Sequence, residues 1–339
     1  MNAMTQMLTV RAASPSDREV IRAFVLSRPE AEPFHLPEWS EAIERGCGQR
    51  AHFLLAEDER GAIAGYLPLT EVRSPLFGSA LVSTGFGVGG GILGEGAEPL
   101  GEAAWRLAQE LGCASVELRG GRLPAAWERR EGVYASFARD LPEGDDAILK
   151  AIPRKQRAEV RRALGFGLDV TIGRDLDGHY ACYSESVRNL GTPVFPRSLF
   201  EAVLGACDAD ILTVSRNGTP LASVLSLYMG GTVYPYWGGG TAKARTWRAN
   251  DLLYYELMRH AARRGCTRFD FGRSKLGTGA FAFKKNWGFE PTPLVYAVKG
   301  DARETNPLSP KYRLQVALWK KLPLPLTNLI GPPIARGLG

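Results

Sequence analysis

The sequence predicts an α/β (α+β) protein in which one unit occurs twice. The chain has 339 residues, more than a single hydrophobic core usually organises, so two domains are expected. Two segments read alike: AAWRLAQELGCASVELRGGR over 103–122 and ELMRHAARRGCTRFDFGRSK over 256–275. Each is a helix pattern, then Gly-Cys, then a strand that alternates apolar and acidic residues. Gly112 and Gly265 match at an offset of 265 − 112 = 153 residues.

The elements before these helices also match. A strand pattern runs into three glycines in ALVSTGFGVGGG (80–91) and again in TVYPYWGGG (232–240). Hairpin-like strands precede them in AIAGYLPLTEV (62–72) and PLASVLSLYM (220–229). This shared order predicts two units of one topology, each a mixed, mostly antiparallel sheet that is flanked by helices and splays near its middle. We expect the units at 1–145 and 146–300, and a basic, Pro-rich tail at 301–339.

Composition narrows the class of protein. A hydrophobic content of 45% with 23% charged residues is globular and excludes a disordered chain. The net charge of +6 suggests an anionic partner such as a phosphate, a nucleic acid or an acidic membrane surface; a basic surface with no specific partner is the alternative. The five scattered cysteines show no C-x-x-C spacing, which argues against a disulfide framework and a zinc site. No secretory signal and no membrane-spanning run is expected, and the cytoplasm fits best.

A basic helix is predicted in PRKQRAEVRRALGFG (153–167). Pro153 suits its first turn and Gly165 its end. Arg154, Arg157 and Arg161 fall on one face, where they could grip phosphates through forked hydrogen bonds. A solvated surface helix is an equal alternative.

The end of the same helix matches a known motif in sequence but not in structural context. Arg162, Gly165 and Gly167 match R-x-x-G-x-G, which resembles the pyrophosphate loop of acetyl-CoA-dependent acetyltransferases. That loop must follow a strand and open a helix so that backbone N–H groups face the phosphates. Here the glycines end a helix and lead into a strand, LDVTI (168–172). We therefore reject the match.

An anion-binding loop is predicted instead in WGGGTAKARTWRAND (237–251). The strand is expected to end at the glycines, and Asn250 to cap the next helix. A cationic, glycine-rich loop before a helix N-terminus is a plausible anion cradle, and a mobile surface loop is the alternative. The predicted donor-loop residues are Gly238, Gly239, Gly240, Lys243, Arg245 and Arg248.

The most unusual stretch is FDFGRSKLGTGAFAFKKNWGFE (269–290). Its first part reads as a strand with two phenylalanines on one face and Asp270 on the other, beside Arg273. GAFAFKKNW reads as a short helix stopped by Gly288, followed by a strand in PLVYAV (293–298). Lys284 and Lys285 are neighbours on this helix, so their side chains point about a quarter-turn apart and only one can face a cleft. The helix also brings together an aromatic pair that either stacks on a donor base or packs on the sheet.

A helix that ends in aromatic-x-x-x-Gly-Phe before a final strand resembles the end of the GNAT acyltransferase fold. In that family a tyrosine acting as general acid often stands four residues before the Gly-Phe pair, where this chain has Lys284. Taken together, these motifs resemble those of the FemAB-like branch. Its members carry two GNAT-like units and a Phe-Lys pair that faces the reaction centre. In this chain the matching pair is Phe283-Lys284. The motifs are most similar to those of FemAB-related proteins associated with exosortase/PEP-CTERM and exopolysaccharide systems. The other matching pieces are FHLPEW (34–39), PLFGSALVS (75–83), RKQRAEVRRALGFGL (154–168) and NLGTPVFPRSLF (189–200).

The resemblance implies an N-acyl or aminoacyl transferase that moves an activated acyl group to an amine of a cell-envelope, peptidoglycan or exopolysaccharide precursor. An acetyl-CoA-dependent N-acetyltransferase, and a non-catalytic protein that binds RNA or an envelope complex, are the alternatives. Lys284 and Asp270 are the predicted catalytic residues, since an ammonium stabilises the charge that develops on the carbonyl oxygen and the leaving group. The predicted substrate-binding residues are Phe283, Arg273, Trp287, Tyr236, Trp237, Arg154, Arg157 and Arg161.

Partners follow from the same reasoning. We expect no metal and no permanently bound cofactor, with aminoacyl-tRNA or acyl-CoA as cosubstrate. The donor or acceptor is expected to bear phosphate. The tail KYRLQVALWKKLPLPLTNLIG (311–331) mixes cations with leucines and a tryptophan, which suits peripheral contact with the inner face of a membrane. Docking of the tail on the first unit is equally open, and so is the oligomeric state.

Overall fold

The computed structural model describes residues 8–301 and 312–339. The strands are β1 (Thr9–Ala12), β2 (Arg50–Glu57), β3 (Ile63–Ser74), β4 (Gly78–Ser83), β5 (Leu93–Gly94), β6 (Ser115–Arg119), β7 (Glu128–Arg130), β8 (Tyr134–Asp140), β9 (Asp169–Gly173), β10 (Ala209–Arg216), β11 (Thr219–Met229), β12 (Thr232–Gly240), β13 (Arg268–Lys275), β14 (Thr292–Pro293) and β15 (Tyr296–Gly300). The helices are α1 (Arg18–Leu26), α2 (Pro37–Cys47), α3 (Ala97–Glu110), α4 (Asp145–Ala151), α5 (Arg154–Leu164), α6 (Leu176–Leu190), α7 (Arg197–Ala206), α8 (Ala249–Arg263), α9 (Gly279–Asn286), α10 (Arg313–Trp319) and α11 (Leu324–Ala335).

The chain divides into two compact units. In the first, the sheet has the order β1-β2-β3-β4-β6-β15-β7, with β5 paired to β3. In the second, the order is β9-β10-β11-β12-β13-β8-β14. Each sheet is antiparallel except at one place, where β4 pairs parallel with β6 and β12 pairs parallel with β13. The predicted mixed, mostly antiparallel sheets flanked by helices are confirmed.

The turn after the crossover helix is the same in both units. Gly112 (φ 66°) donates to the Gln109 carbonyl, and the next residue, Cys113, donates to Ala108 at 2.8 Å. In the second unit Gly265 (φ 83°) and Cys266 make the matching bonds to Ala262 and Ala261. Both are Schellman ends, in which a residue with positive φ closes the helix and glycine carries no Cβ penalty. The repeat at an offset of 153 residues therefore reflects one structural unit used twice.

The division between units differs from the expected break after residue 145. Among the described residues, the first unit comprises 8–131, 295–301 and 333–339, and the second 132–294 and 312–332. The cause is an exchange of strands. β8, expected in the first unit, pairs with β13 in the second sheet, while β15 pairs with β6 in the first. The single strand predicted at 293–298 is accordingly two strands, since β14 pairs with β8 and β15 does not.

Each unit has its own core. In the first, Leu67, Leu81 and Val116 of the sheet pack with Leu100 and Ala104 of α3. In the second, the strands β8, β11 and β13 pack against α8 and α9, and the largest members are Phe137, Phe269, Trp287 and Phe289, all wholly buried.

The segment predicted as a basic, Pro-rich tail forms helices α10 and α11 where the structure describes it; residues 302–311 of the predicted tail lie outside the described part. No helix in the described ranges is both long enough and apolar enough to cross a bilayer.

Candidate active site

The second sheet opens between its two parallel strands. β12 and β13 pair at only two positions, Thr232 with Arg268 and Val233 with Phe269. Beyond these positions β12 pairs with β11 as far as Gly240, and β13 pairs with β8 as far as Lys275. The sheet therefore splays toward the carboxyl ends of both strands, which is where ligands enter open sheets that contain parallel strands.

A β-bulge in β13 lies beside this opening. The register with β8 shifts between Asp270 and Arg273, and Gly272 inside the shift has φ 65°. Glycine accepts this conformation without Cβ strain. The Asp270 carboxylate accepts a hydrogen bond of 2.8 Å from the Gly272 N–H, which holds the bulge in shape. Because a bulge interrupts the ladder, its carbonyl groups become free for a side chain.

Lys284 uses those carbonyls. Helix α9 begins after Thr278, whose hydroxyl accepts from the Phe281 N–H at 3.3 Å. One turn later, the Lys284 Nζ donates to Gly272 O at 3.0 Å and to Arg273 O at 2.8 Å. Lys284 is only 8% exposed, whereas Lys285 is exposed, as the quarter-turn between helical neighbours predicts.

The surroundings of this ammonium are largely apolar. Its Nζ lies 5.4 Å from the ring centroid of Phe137 and 5.7 Å from that of Phe271. Burial lowers the pKa of Lys284 to about 7, against the opposing field of Asp270. Burial also raises the pKa of Asp270, although the Gly272 N–H and Lys284 favour its charged form. A lysine that changes charge near neutral pH is suited to stabilising an anion and to transferring a proton.

Three of the predicted substrate-binding residues lie around Lys284. Trp287 is fully buried and packs against Tyr254 at 6.1 Å between ring centroids, so its predicted stacking on a donor is not what the structure shows. Phe283 is half-buried and contacts the same tyrosine at 5.5 Å. The Arg273 guanidinium lies 4.7 Å from the ring centroid of Tyr134. The helical aromatic pair thus packs in the core, against Tyr254 of α8 and, through Phe283, against Phe271 of β13, because α9 needs an apolar face to bury.

The aromatic residues of β12 are also mainly structural. Trp237 is buried against Phe200, with ring centroids 5.0 Å apart, on the face covered by α6 and α7. Tyr236 is the extra residue where the register with β11 shifts, since Leu225 pairs with Trp237 and Ser226 with Pro235. It remains half-buried at the bulge. The prediction of Trp237 as a substrate contact is corrected: it fills the core.

The predicted donor loop is not a loop at its start. Gly238, Gly239 and Gly240 belong to β12 and pair with Val224, Ser223 and Ala222. A Cβ at Gly238 would come within 2.9 Å of the Tyr254 hydroxyl, and one at Gly239 within 2.7 Å of Ser186. The glycines are there because α8 and α6 press closely on the two faces of the strand, and not because phosphates need exposed N–H groups.

The cations after these glycines take different positions. Lys243 and Arg245 lie exposed on a 3₁₀ turn, Ala242–Arg245. Arg248, in the left-handed conformation (φ 51°), is the residue that precedes α8, and its Nε lies 2.7 Å from Glu159. Asn250, predicted as the helix cap, is instead inside the first turn.

The basic helix is confirmed as α5. Its buried face, Gln156, Val160 and Ala163, packs toward α8. Arg154 and Arg161 are exposed and Arg157 is half-buried, and none of the three forms an ion pair within the described residues. Gly165 and Gly167 follow the helix and precede β9, so the rejection of the pyrophosphate-loop string is confirmed.

Sequence reasoning missed two contributors to the Lys284 environment. Phe137 is not identified from the sequence, because the expected break after residue 145 puts β8 in the first unit; the alternating pattern YASFARD indicates a strand but not its partner. The carbonyl pair at Gly272 and Arg273 was overlooked as well. The spacing Asp-x-Gly inside a strand was the available signal for a bulge.

The four histidines make their contacts with residues other than Lys284. Burial lowers the pKa of His35 to about 4 and that of His179 to about 3. His52 contacts Glu71 at 3.1 Å and His260 contacts Asp210 at 2.7 Å. In the described ranges, no three His, Cys, Asp or Glu side chains come together as metal ligands would.

The two units have GNAT-like folds, and comparison with known proteins agrees. Residues 150–285 match the family described as an acetyltransferase (GNAT) domain. The chain is 29% identical over 86 residues to the lipid II:glycine glycyltransferase of Staphylococcus haemolyticus (strain JCSC1435). That alignment covers 23% of this chain and 20% of the relative, so only about a fifth of the relative's length is matched.

Two solved structures share the architecture. The crystal structure of FemX superposes with a TM-score of 0.64 at 16% identity, over 84% of this chain and 96% of that one. A tandem GNAT protein from the clavulanic acid biosynthesis pathway gives 0.56 at 11% identity, over 87% and 98%. The chain is thus similar in fold to FemX and to a tandem GNAT protein, and its residues 150–285 match the GNAT domain family.

Proposed function

We propose that the protein is an N-acyl or aminoacyl transferase that moves an activated acyl group to an amine of a cell-envelope precursor. The observation that carries the proposal is the buried Lys284 ammonium, held by the carbonyls of Gly272 and Arg273 beside Asp270, at the opening between β12 and β13. The similar chains named lipid II:glycine glycyltransferase and FemX support a peptidoglycan precursor as acceptor. An exopolysaccharide precursor is the other acceptor within the proposal.

The chemistry follows from this placement. The acceptor amine attacks the carbonyl carbon of an ester or thioester, a C–N bond forms, and the carbonyl oxygen becomes anionic. Collapse breaks the bond to the leaving oxygen or sulfur; the amine loses a proton and the leaving group gains one. An ammonium in an apolar site stabilises both anions more strongly than water does. With a pKa of about 7, Lys284 can also donate the proton that the leaving group takes up.

The donor enters the reaction as a cosubstrate, with no permanently bound cofactor. The outer row of α5, Arg154, Arg157 and Arg161, offers three guanidinium groups on one face. Such a row suits phosphates, which guanidinium forks bind in pairs of hydrogen bonds. Lys243 and Arg245 add exposed cations on the turn before α8. This distribution of positive charge favours a polyanionic donor, of which aminoacyl-tRNA is the leading candidate.

An acetyl-CoA-dependent N-acetyltransferase is the second candidate. The description of the matched domain as an acetyltransferase favours it. The local structure opposes it, because the glycines of β12 are paired in the sheet and the glycines after α5 end a helix instead of opening one. A non-catalytic protein that binds RNA or an envelope complex remains as the third candidate. A non-catalytic role would not explain why the Lys284 ammonium is buried beside the opening of the sheet.

Mass spectrometry of ligands that copurify with the folded protein separates these candidates. Aminoacyl-tRNA or its fragments support the first, and acyl-CoA supports the second. Transfer of the identified acyl group to an amine must then depend on Lys284. Transfer that proceeds equally in the Lys284→Met variant would contradict the proposed chemistry, and no transfer with any acyl donor would favour the third candidate.

We place this reaction at the inner face of the cytoplasmic membrane, where lipid-linked precursors are available. The absence of acidic residues from the cation-bearing segment 312–332 supports that placement.

A further inference from the structure

Helices α10 and α11 turn their leucines toward solvent. On α10, Leu314 is 80% exposed and Leu318, four residues later, is 61% exposed. On α11, Leu329 is 73% exposed, with Leu326 and Ile330 exposed at neighbouring positions of the same face. Spacings of three and four residues place such side chains on one stripe of a helix. Single exposed leucines are ordinary, but two consecutive helices with outward apolar stripes are not.

The opposite faces of these helices hold them to α6. A Cβ at Gly191, the residue after α6, would come within 2.5 Å of Val316 Cγ1, so α10 packs directly on that glycine. Arg188 donates to the Leu322 carbonyl at 3.2 Å, and the Asn328 amide donates to the Ser184 hydroxyl at 3.4 Å. The inward contacts are thus one close apolar contact of Val316 with a glycine and two hydrogen bonds. The exposure of the leucines follows from this docking.

The charge around the stripes has one sign. Residues 312–332 contain Arg313, Lys320 and Lys321, all exposed, and no aspartate or glutamate. None of the three cations pairs with an acid in the part of the chain that the structure describes. An apolar stripe on a segment whose charged residues are all cations matches an anionic lipid surface, in which acyl chains accept leucines and headgroup phosphates accept lysines.

We propose that the α10–α11 face, defined by Leu314, Leu318, Leu326, Leu329 and Ile330, docks on the surface of a bilayer that contains anionic lipid. The helices lie in the interface and do not span it. Charge argues against a second copy of this chain as the occupant, because pairing two such faces would bring together cations without acids. The inference specifies the surface behind the membrane placement in the proposed function, and its test is separate from the reaction, since docking requires neither donor nor acceptor.

Sedimentation with vesicles tests the proposal. The full chain is mixed with vesicles of phosphatidylcholine alone or with about one-third phosphatidylglycerol, at low and at moderate salt. We expect binding to the anionic vesicles that weakens as salt rises. The combined variant Leu314→Ser, Leu318→Ser and Leu329→Ser should lower the partition coefficient on the order of tenfold or more. Its matched control is Leu76→Ser, since Leu76 is a 67% exposed leucine in the turn before β4.

A charge variant separates the two contributions. Lys320→Glu with Lys321→Glu should lower binding to anionic vesicles on the order of tenfold or more and leave binding to neutral vesicles little changed. Arg106→Glu, at an exposed site on α3, is the control. The changed side chains are exposed, so circular dichroism should show an intact fold.

Two outcomes overturn the proposal. One is equal vesicle binding by the wild type and the leucine variant. The other is a wild-type dimer in light scattering that the leucine variant converts to monomer, which would make the face an interface between copies.

Discussion

The two units place different groups at the same point of two matching strands, β6 in the first sheet and β13 in the second. The 153-residue offset aligns β6 with the start of β13, so that Glu117 corresponds to Asp270 and Arg119 to Gly272. In the first unit, Arg119 is 5% exposed and donates to Glu117 at 2.7 Å and to the carbonyls of Thr84 and Gly87 at 3.1 and 2.9 Å. This guanidinium fastens the glycine-rich segment after β4 to the sheet.

In the second unit, the buried cation is Lys284, which comes from helix α9 and not from the strand. Fewer polar groups balance its charge than balance that of Arg119. Gly272 offers no side chain, and the bulge that it permits turns two carbonyls toward Lys284. No carboxylate bonds directly to this ammonium within the described residues. A buried cation thus stabilises a fold when acids and carbonyls saturate it, and is suited to chemistry when it is held but not saturated.

The largest expected effect is on catalysis. Lys284→Met keeps the length of the side chain and removes its charge, so turnover with the true donor should fall by on the order of a hundredfold or more. Lys285→Met should change turnover little, because Lys285 is exposed. Steady-state kinetics on folded protein provide the measurement. A dead Lys285 variant would show that the wrong lysine has been placed at the reaction.

The next effect is on the stability of the first unit. Arg119→Met removes the hydrogen bonds to the carbonyls of Thr84, Gly87 and Gly339 and the guanidinium partner of Glu117, which should cost about 3 kcal/mol. Arg106→Met, at an exposed position on α3, is the control and should cost little. Chemical denaturation measures both. Equal midpoints would mean that Arg119 does not fasten the glycine-rich segment.

Substitution of Lys284 is expected to raise the free energy of unfolding, whereas substitution of Arg119 should lower it. Its pKa in the folded protein, about 7, lies below the value of 10.5 for a free lysine, so the unfolded chain binds more protons between these two values. Stability therefore rises with pH across that window as the folded protein sheds its buried charge. Below pH 7 the full cost of the buried charge is present. Lys284→Met should then raise the free energy of unfolding by about 2 kcal/mol, and the gain should shrink toward pH 10.

The same pKa predicts the pH profile of the reaction. If the ammonium form stabilises the oxyanion and protonates the leaving group, kcat/KM should fall above about pH 7, approaching tenfold per pH unit. Initial rates at saturating and limiting acceptor concentrations measure the profile. A rate that rises through pH 7 would assign Lys284 the role of a base instead.

The smallest effect concerns the donor. Arg157→Glu on α5 should weaken the binding of fluorescently labelled bulk tRNA several-fold and make the dependence on log salt shallower by about one unit. Arg106→Glu should change neither quantity. Binding that is insensitive to ionic strength would exclude phosphate contacts by this helix.

Local patterns were sufficient for much of the fold. The helix–Gly-Cys–strand repeat, the bounds of α5 and the orientation of Lys284 relative to Lys285 depend on helix periodicity and on glycine conformations, which are properties of neighbouring residues. The false pyrophosphate loop was also recognisable, since it ends a helix within the same few residues.

Contacts between segments that are distant in sequence determine the features of the fold that local patterns do not predict. Nothing local in YASFARD or in PLVYAV specifies which sheet each strand joins, because strand pairing depends on edges made by residues more than a hundred positions away. The same holds for Gly238–Gly240, where glycine was compatible with a loop or with close helix packing, and only α6 and α8 select the strand. Composition placed leucines and lysines in the tail, but their exposure arises from docking on α6. Sequence by itself therefore determined the elements and the repeat, while tertiary packing determined the partners, the bulge that holds Lys284 and the faces left open to solvent.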